Sequence, residues 1–234
     1  MSTEMKPVPL TLIVAATRSN AIGRDSSLPW RLSKEMAYFA RMTKGEQSSS
    51  GTVTGNGNAV IMGRKSWEGI PSRFRPLADR VNVVVTRQKD YNLSDSSSSA
   101  PPPLTHIAHS LESAVELLRS SPSSTSSSRT FLIGGAQLYN EALLAPSTPS
   151  SPYIANRILL TRVLTDYPDC DTFLHPFEKD GHEVWKRSSH RELVDWAGWD
   201  VPEGVQREKD RLVKGEDKEV EYEFQMWVRS TESQ

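Results

Sequence analysis

Residues 26 to 39 read SSLPWRLSKEMAYF, which places Glu35 among Leu32, Met36, Tyr38 and Phe39, just downstream of Trp30. A carboxylate on an otherwise apolar helix face has two readings. It is an ordinary solvated helix residue, or it is the one acid at the floor of a pocket, where desolvation lifts its pKa toward the working range of a general acid. Two other stretches carry a different chemistry. In FLIGGAQLY the pair Gly134-Gly135 closes a strand-like run and opens a helical one, and in IMGRKSW Gly63 precedes Arg64, Lys65 and Ser66. Glycines at such junctions let backbone approach a ligand, and the helix start presents free N–H groups to an anion. A pair of such junctions suits a ligand with more than one phosphate, such as a dinucleotide. Each is also what a chain uses simply to turn a corner, and neither is a Walker A loop or a G-x-G-x-x-G fingerprint. In VVVTRQ, Thr86 and Arg87 end a third strand-like run. An arginine there suits a ribose 2′-phosphate and would select NADPH over NADH, although it reads equally well as a surface residue.

Other reactive side chains are blander. His106, His109, His175, His182 and His190 show neither metal-ligand spacing nor a nucleophile partner, so no metal site is expected. Cys170, the single cysteine, has no flanking base in YPDCDTF and is expected to be inert. Trp185, Trp196, Trp199 and Trp227 are expected to pack rather than to touch a cofactor.

The elements that position these residues alternate. LTLIVAAT (10–17), NAVIMG (58–63), RVNVVVT (80–86), RTFLIGG (129–135) and RILLTRV (157–163) are short apolar runs of strand length. SKEMAYFARMT (33–43), KSWEGI (65–70), SLESAVELLRS (110–120) and AQLYNEALL (136–144) have helical spacing, with Ser33 and Ser110 as candidate N-caps. This order predicts a single α/β domain with a central, mostly parallel mixed sheet flanked by helices. EVEYEFQMWV (219–228) alternates strictly and predicts an antiparallel C-terminal edge strand, paired with HEVWKRSSH (182–190). The charged stretch 191–217 reads as their connecting loop.

Ser/Pro/Gly-rich stretches near 47–57, 94–103, 120–128 and 146–152 read as surface insertions, because they lack the apolar content to offset their ordering. They account for the length of 234 residues. A formal charge of −1 gives no footprint for nucleic acid, and no apolar run approaches the roughly 20 residues of a membrane span. The N-terminus reads as a first strand rather than a signal peptide, and the expected compartment is the cytoplasm.

Taken together, LTLIVAATRSNAIGRDSSLPW, EMAYFARMT, VIMGRKSWEGIP, RPLADRVNVVVTR, IGGAQLY, LLTRV and DTF resemble the dihydrofolate reductase family in order and spacing, over most of the chain outside the insertions. The acid being glutamate resembles eukaryotic members, and the serine-rich insertions resemble fungal ones. The resemblance implies NADPH-dependent reduction of dihydrofolate by a monomer that also binds antifolate inhibitors. It makes Glu35, with Trp30 and Thr161, the catalytic group, its carboxylate holding the pterin 2-amino group and N3–H. Ile13, Val14, Met36, Phe39, Ile70, Leu77, Ile133 and Tyr139 would line the substrate pocket, and Arg80 would hold the α-carboxylate of its glutamate tail. Ala15, Ala21, Ile22, Gly23, Arg24, Asp25, Ser26 and Ser27 would line the nicotinamide side, and the segment from Arg18 to Trp30 would be a mobile lid closing over it. Gly63, Arg64, Lys65, Ser66, Thr86, Arg87, Gln88, His109 and Ser110 would hold the adenosine phosphates and ribose. Ile133, Gly134, Gly135, Ala136, Gln137, Leu138 and Tyr139 would cradle the pyrophosphate. His109 stands where an arginine is common, and 186–217 is longer than the family needs. Rival readings are a reductase of similar fold acting on a riboflavin-pathway pyrimidine, and a nucleotide-binding module without catalysis.

Overall fold

The apolar run near the N-terminus forms strand β1 (Val8–Thr17), with Leu10, Leu12 and Ala16 fully buried. The computed structural model describes residues 6–44, 57–93, 104–120, 128–180, 184–212 and 218–230. They fall into two compact units, Met1–Leu10 with Thr43–Ile154 and Thr11–Met42 with Ala155–Gln234.

In the first unit β3 (Ala59–Gly63), β4 (Val81–Val85), β5 (Thr105–Ala108) and β6 (Thr130–Leu132) run parallel in the order β6-β3-β4-β5. Val60, Ile61, Met62, Val83, Val84, Phe131 and Leu132 are fully buried, as strands covered on both faces require. The helices of this unit are α2 (Arg64–Gly69), α3 (Leu111–Ser120) and α4 (Ala136–Leu144). Helix α3 buries Leu111, Ala114, Val115 and Leu118, the i, i+3, i+4, i+7 stripe of an amphipathic helix. Ser110 caps it as expected: its Oγ accepts the Ser113 N–H at 3.0 Å, and Ser113 Oγ accepts the Ser110 N–H at 3.0 Å. The Ser/Pro-rich stretch 146–152 is tied down at one end, where the Pro152 carbonyl accepts from Val8 N–H at 3.0 Å and Arg119 Nη2 at 3.1 Å. Most of the other expected insertions lie outside the described residues.

The second unit holds residues 11–17 of β1, then β2 (Ala21–Gly23), α1 (Ser33–Thr43), β7 (Tyr153–Val163, from Ala155 on), β8 (Thr172–Phe173), β9 (Trp185–Arg187), α5 (His190–Ala197), β10 (Gln206–Lys209) and β11 (Glu219–Arg229). Strand β11 runs antiparallel to β7, with Phe224 opposite Thr161. Its other side is taken by β10 at one end and β9 at the other, both antiparallel. Its alternation is as expected, Val220, Tyr222, Phe224 and Met226 being buried. The architecture is α/β, with a mostly parallel sheet and an antiparallel C-terminal edge.

The stretch 191–217 is not simply a loop. Helix α5 begins there with a capping box, in which Ser189 Oγ accepts the Glu192 N–H and Glu192 accepts the Ser189 N–H, and it ends at Gly198 in the left-handed region at φ 76°. Strand β10 follows; its QREK sequence has no apolar alternation, and its pairing is dictated by β11.

Candidate active site

Glu35 lies in the first turn of α1 and is 8% exposed, so it is not an ordinary solvated helix residue. Its Oε1 accepts the hydroxyl of Thr161, itself 1% exposed on β7, at 3.2 Å. Burial pushes the Glu35 carboxyl up to about 7; the Thr161 hydrogen bond opposes the rise and the nearby Glu208 carboxylate adds to it. One turn on, Tyr38 is buried and stacks on Phe224 at 3.9 Å. Ile13 and Val14 are buried on β1, whereas Met36 is 45% exposed and Phe39 half-buried. Large apolar side chains left open beside a buried acid are what a ligand would cover. Trp30 is buried against Tyr167, ring centroids 5.0 Å apart.

The start of α1 is held by a residue that sequence spacing does not point to. Met36 N–H donates to the Leu32 carbonyl at 3.0 Å, so Ser33 is the first helical residue and not the cap. The capping acceptor is the Glu208 carboxylate of β10, which takes Lys34 N–H at 3.0 Å and Glu35 N–H at 3.3 Å. An i, i+2 pair of acids, Glu208 and Asp210, was the available signal, and alone it is too common to single out.

The segment 21–27 starts buried and ends exposed. Ala21, Ile22 and Gly23 are buried in β2, which pairs with β8; Ala15 and Arg24 are half-buried, and Asp25, Ser26 and Ser27 are exposed. Arg24 and Ser27 exchange backbone hydrogen bonds around Asp25 and Ser26, both at positive φ. Ala21 N–H donates to Thr17 Oγ1 at 3.0 Å, and Asp25 N–H to Asp171 Oδ2 at 3.0 Å. A buried Arg162 reaches the Thr17 carbonyl, Asn20 Oδ1 and the Glu178 carboxylate at the root of this segment.

The glycine junctions of the first unit meet: Gly63 N–H donates to the Gly134 carbonyl at 2.8 Å. Gly134 has φ +122°, and a Cβ there would stand 3.2 Å from Ser66 Oγ; one on Gly135 would stand 3.3 Å from the same atom. Helix α4 opens at Gly135 with no side-chain cap, leaving its first N–H groups for another acceptor. This cradle, which any Cβ would crowd, fits a pyrophosphate group. Ile133 and Ala136 beside it are half-buried, Gln137 is exposed, and Leu138 and Tyr139 are buried. Lys65 and Arg87 are exposed, but Arg64 already donates to Glu68 at 2.9 Å. Thr86 is buried; its Oγ1 accepts Gln88 N–H at 3.2 Å and its carbonyl lies 2.9 Å from His109 Nδ1. The ends of β4 and β5 thus bring Thr86, Arg87, Gln88, His109 and Ser110 to one side of that unit.

Arg80 is 5% exposed and makes its bonds to neutral groups, Nε to the Ala78 carbonyl at 2.9 Å and Nη1 to Thr43 Oγ1. Its sequence neighbour Asp79 is taken by Lys44 at 2.9 Å. Burial lowers the Arg80 pKa to about 10, with Asp79 opposing the shift. Leu77, half-buried like Ile70, is fixed by two bonds to the Asn82 side chain at 3.0 Å. Of the residues expected to be inert, Cys170 has its thiol pushed up by burial, and Trp185 is buried against Phe177 and under Arg229.

These features define an α/β protein with a buried acid, Glu35, in the first turn of a helix and a paired-glycine junction at the start of another. The chain belongs to the dihydrofolate reductase family, whose model matches residues 9–195. It is 44% identical over 235 residues to the dihydrofolate reductase of Cryptococcus neoformans var. neoformans, a match covering 94% of each chain. It is 40% identical over 225 residues to that of Pneumocystis carinii, covering 94% of this chain and 96% of the relative. Among solved structures, Schistosoma mansoni dihydrofolate reductase aligns with a TM-score of 0.64 at 29% identity, over 96% of this chain and 100% of that one.

Proposed function

We propose that the protein reduces 7,8-dihydrofolate to 5,6,7,8-tetrahydrofolate with NADPH, adding hydride to the pterin and a proton at N5. The observation that carries this reading is Glu35, buried and bonded to Thr161, with burial pushing its carboxyl up to about 7. NADPH, when bound, supplies the hydride. The chain's own residues then have three tasks. Glu35 fixes the pterin through its 2-amino group and N3–H and stores a proton close to neutral pH, which water carries to N5. Arg80, a buried cation bonded to neutral groups, takes the α-carboxylate of the glutamate tail. The Gly134-Gly135 cradle takes the pyrophosphate, and the exposed Arg87 and Lys65 take the adenosine 2′-phosphate.

The direct test is loss of NADPH near-ultraviolet absorbance when dihydrofolate is added. No oxidation would reduce the chain to a nucleotide-binding module. Reduction of a riboflavin-pathway pyrimidine instead, with no tight binding of a 2,4-diaminopteridine antifolate, would favour the other rival; such a substrate needs neither Glu35 beside Trp30 nor Arg80.

Arg87 gives a cofactor prediction. Loss of one charged hydrogen bond costs roughly 1.5–3 kcal/mol, so Arg87→Ala weakens NADPH binding about tenfold or more and leaves NADH binding nearly unchanged. Titration of both cofactors by protein fluorescence measures this. Equal losses would show that Arg87 does not read the 2′-phosphate.

A further inference from the structure

We infer that Glu208 is a positioning residue for Glu35: its carboxylate fixes the first turn of α1 and places a negative charge beside Glu35. This rests on the reading of Glu35 as the acid of the site.

The geometry is that of a clamp. Glu208 Oε1 alone reaches three donors: Lys34 N–H at 3.2 Å, Glu35 N–H at 3.3 Å and the Tyr222 hydroxyl at 2.9 Å. Oε2 takes Lys34 N–H a second time at 3.0 Å. Two residues on, Asp210 is 4% exposed and does the same for Trp30's neighbour, its Oδ1 accepting Arg31 N–H at 3.0 Å. Asp210 Oδ2 accepts the hydroxyl of Tyr167, the residue packed on Trp30, at 2.8 Å. The Arg31 carbonyl in turn accepts Arg211 N–H at 3.1 Å. The strand region 206–211 therefore holds the main chain that carries both Trp30 and Glu35.

The charge on Glu208 has a second consequence. Glu208 stands at a helix start, its carboxylate bonded to two backbone N–H groups and a hydroxyl. That anion opposes ionisation of the buried Glu35. The Thr161 hydrogen bond acts in the opposite direction, favouring the ionised form, but it brings no charge. Thr161 on β7 is neutral, and Tyr38 on α1 and Tyr222 on β11 are held neutral, burial pushing both phenols well above their ordinary range. Lys34 Nζ lies 3.4 Å from the Arg207 carbonyl, and the Arg207 side chain is bound to Glu221 at 2.7 Å.

Two variants separate fixing from charge. Glu208→Gln keeps an oxygen for all three donors and removes the charge; Glu208→Ala removes both. The Glu35 carboxyl is followed by carbon NMR, its resonance identified by its absence in Glu35→Gln, alongside the pH profile of turnover. In Glu208→Gln we expect Glu35 to titrate lower by about 0.5–1 pH unit. The alkaline fall in turnover moves with it, while KM for dihydrofolate and turnover at the acid plateau stay near wild type. Glu208→Ala loses about tenfold at the plateau as well. Glu208→Asp, which keeps charge but shortens the reach, gives the converse: lower turnover with the Glu35 titration kept high. An unmoved Glu35 titration in Glu208→Gln, or wild-type turnover in Glu208→Ala, overturns the inference. Failure of the dihydrofolate reading shows separately, as wild-type protein that oxidises no NADPH, since the NMR titration needs no substrate.

Discussion

Replacing Glu35 with glutamine lowers turnover near neutral pH by about 10²–10⁴-fold, the usual worth of a positioned acid or base. The amide fills the same volume and still accepts from Thr161, so the protein folds and binds NADPH as before. What is lost is the proton. In the wild type Glu35 is raised to about 7 and is therefore substantially protonated at neutral pH, and its rate falls as pH rises beyond that point. In Glu35→Gln the deficit shrinks as pH falls, because solvent then protonates the substrate. Steady-state rates of both proteins between pH 5 and 9 measure this. Normal turnover of the variant at pH 7 would return Glu35 to a structural role. A deficit equal at every pH would leave it as an anchor for the pterin.

The same substitution has a stability consequence of opposite sign. An acid raised from 4.5 to about 7 on folding holds its proton in the native state after the unfolded chain has released it. Stability is then highest below pH 4.5 as far as this group is concerned and falls as pH rises toward 7. At pH 8 the ionised, buried carboxylate costs roughly 3 kcal/mol, which glutamine does not incur. Glu35→Gln is accordingly more stable than wild type at pH 8, and the gain disappears toward pH 4. Thermal unfolding at the two pH values checks it. A variant that is inactive yet more stable is the signature of an acid held in place against its own solvation.

The strands and helices legible in the sequence were those whose burial is dense enough to leave a periodic mark. Strands β3, β4 and β7 lie in short, largely apolar runs, and α3 shows a clean inward stripe. Elements dictated by a distant partner left no such mark. Strand β10 carries only Gln206, Arg207, Glu208 and Lys209, and it exists because β11 offers it a free edge. The two-stranded pairing of β2 with β8 is too short for periodicity. Helix α5 is different, because its Ser189–Glu192 box and terminal Gly198 were present to be read, and the surrounding charge hid them. In the site, Glu35 and the glycine cradle announce themselves through misplaced chemistry: an acid on an apolar face, glycines where strand turns to helix. Glu208 does not, because a glutamate in a charged stretch looks solvated until the fold brings three donors to it. Ser33 misled for the same reason. A local cap was available in sequence, but the tertiary carboxylate took the N–H groups.

Arg80→Leu separates substrate anchoring from folding. Arg80 is a buried cation bonded to a carbonyl and a hydroxyl, and burial has brought its pKa down to about 10. A base depressed on folding means that the unfolded chain binds more protons from about 10 up to the ordinary arginine range, so below that window the charge works against the fold. Leucine removes this cost along with two hydrogen bonds, and the terms largely cancel. The thermal midpoint of the unliganded variant therefore moves by no more than about 2–4 °C, the equivalent of ~1 kcal/mol in a chain of this size. Substrate binding responds differently. Removing one partner of a desolvated charge pair costs about 2–5 kcal/mol, so KM for dihydrofolate rises roughly 30-fold or more. The pterin is still seated on Glu35, so kcat is largely retained and NADPH affinity is unchanged. A truncated substrate that lacks the glutamate tail is turned over equally by variant and wild type. Stability melts with steady-state kinetics on the full and truncated substrates make the test, and equal KM increases for both would mean that Arg80 shapes the pocket rather than binding the tail.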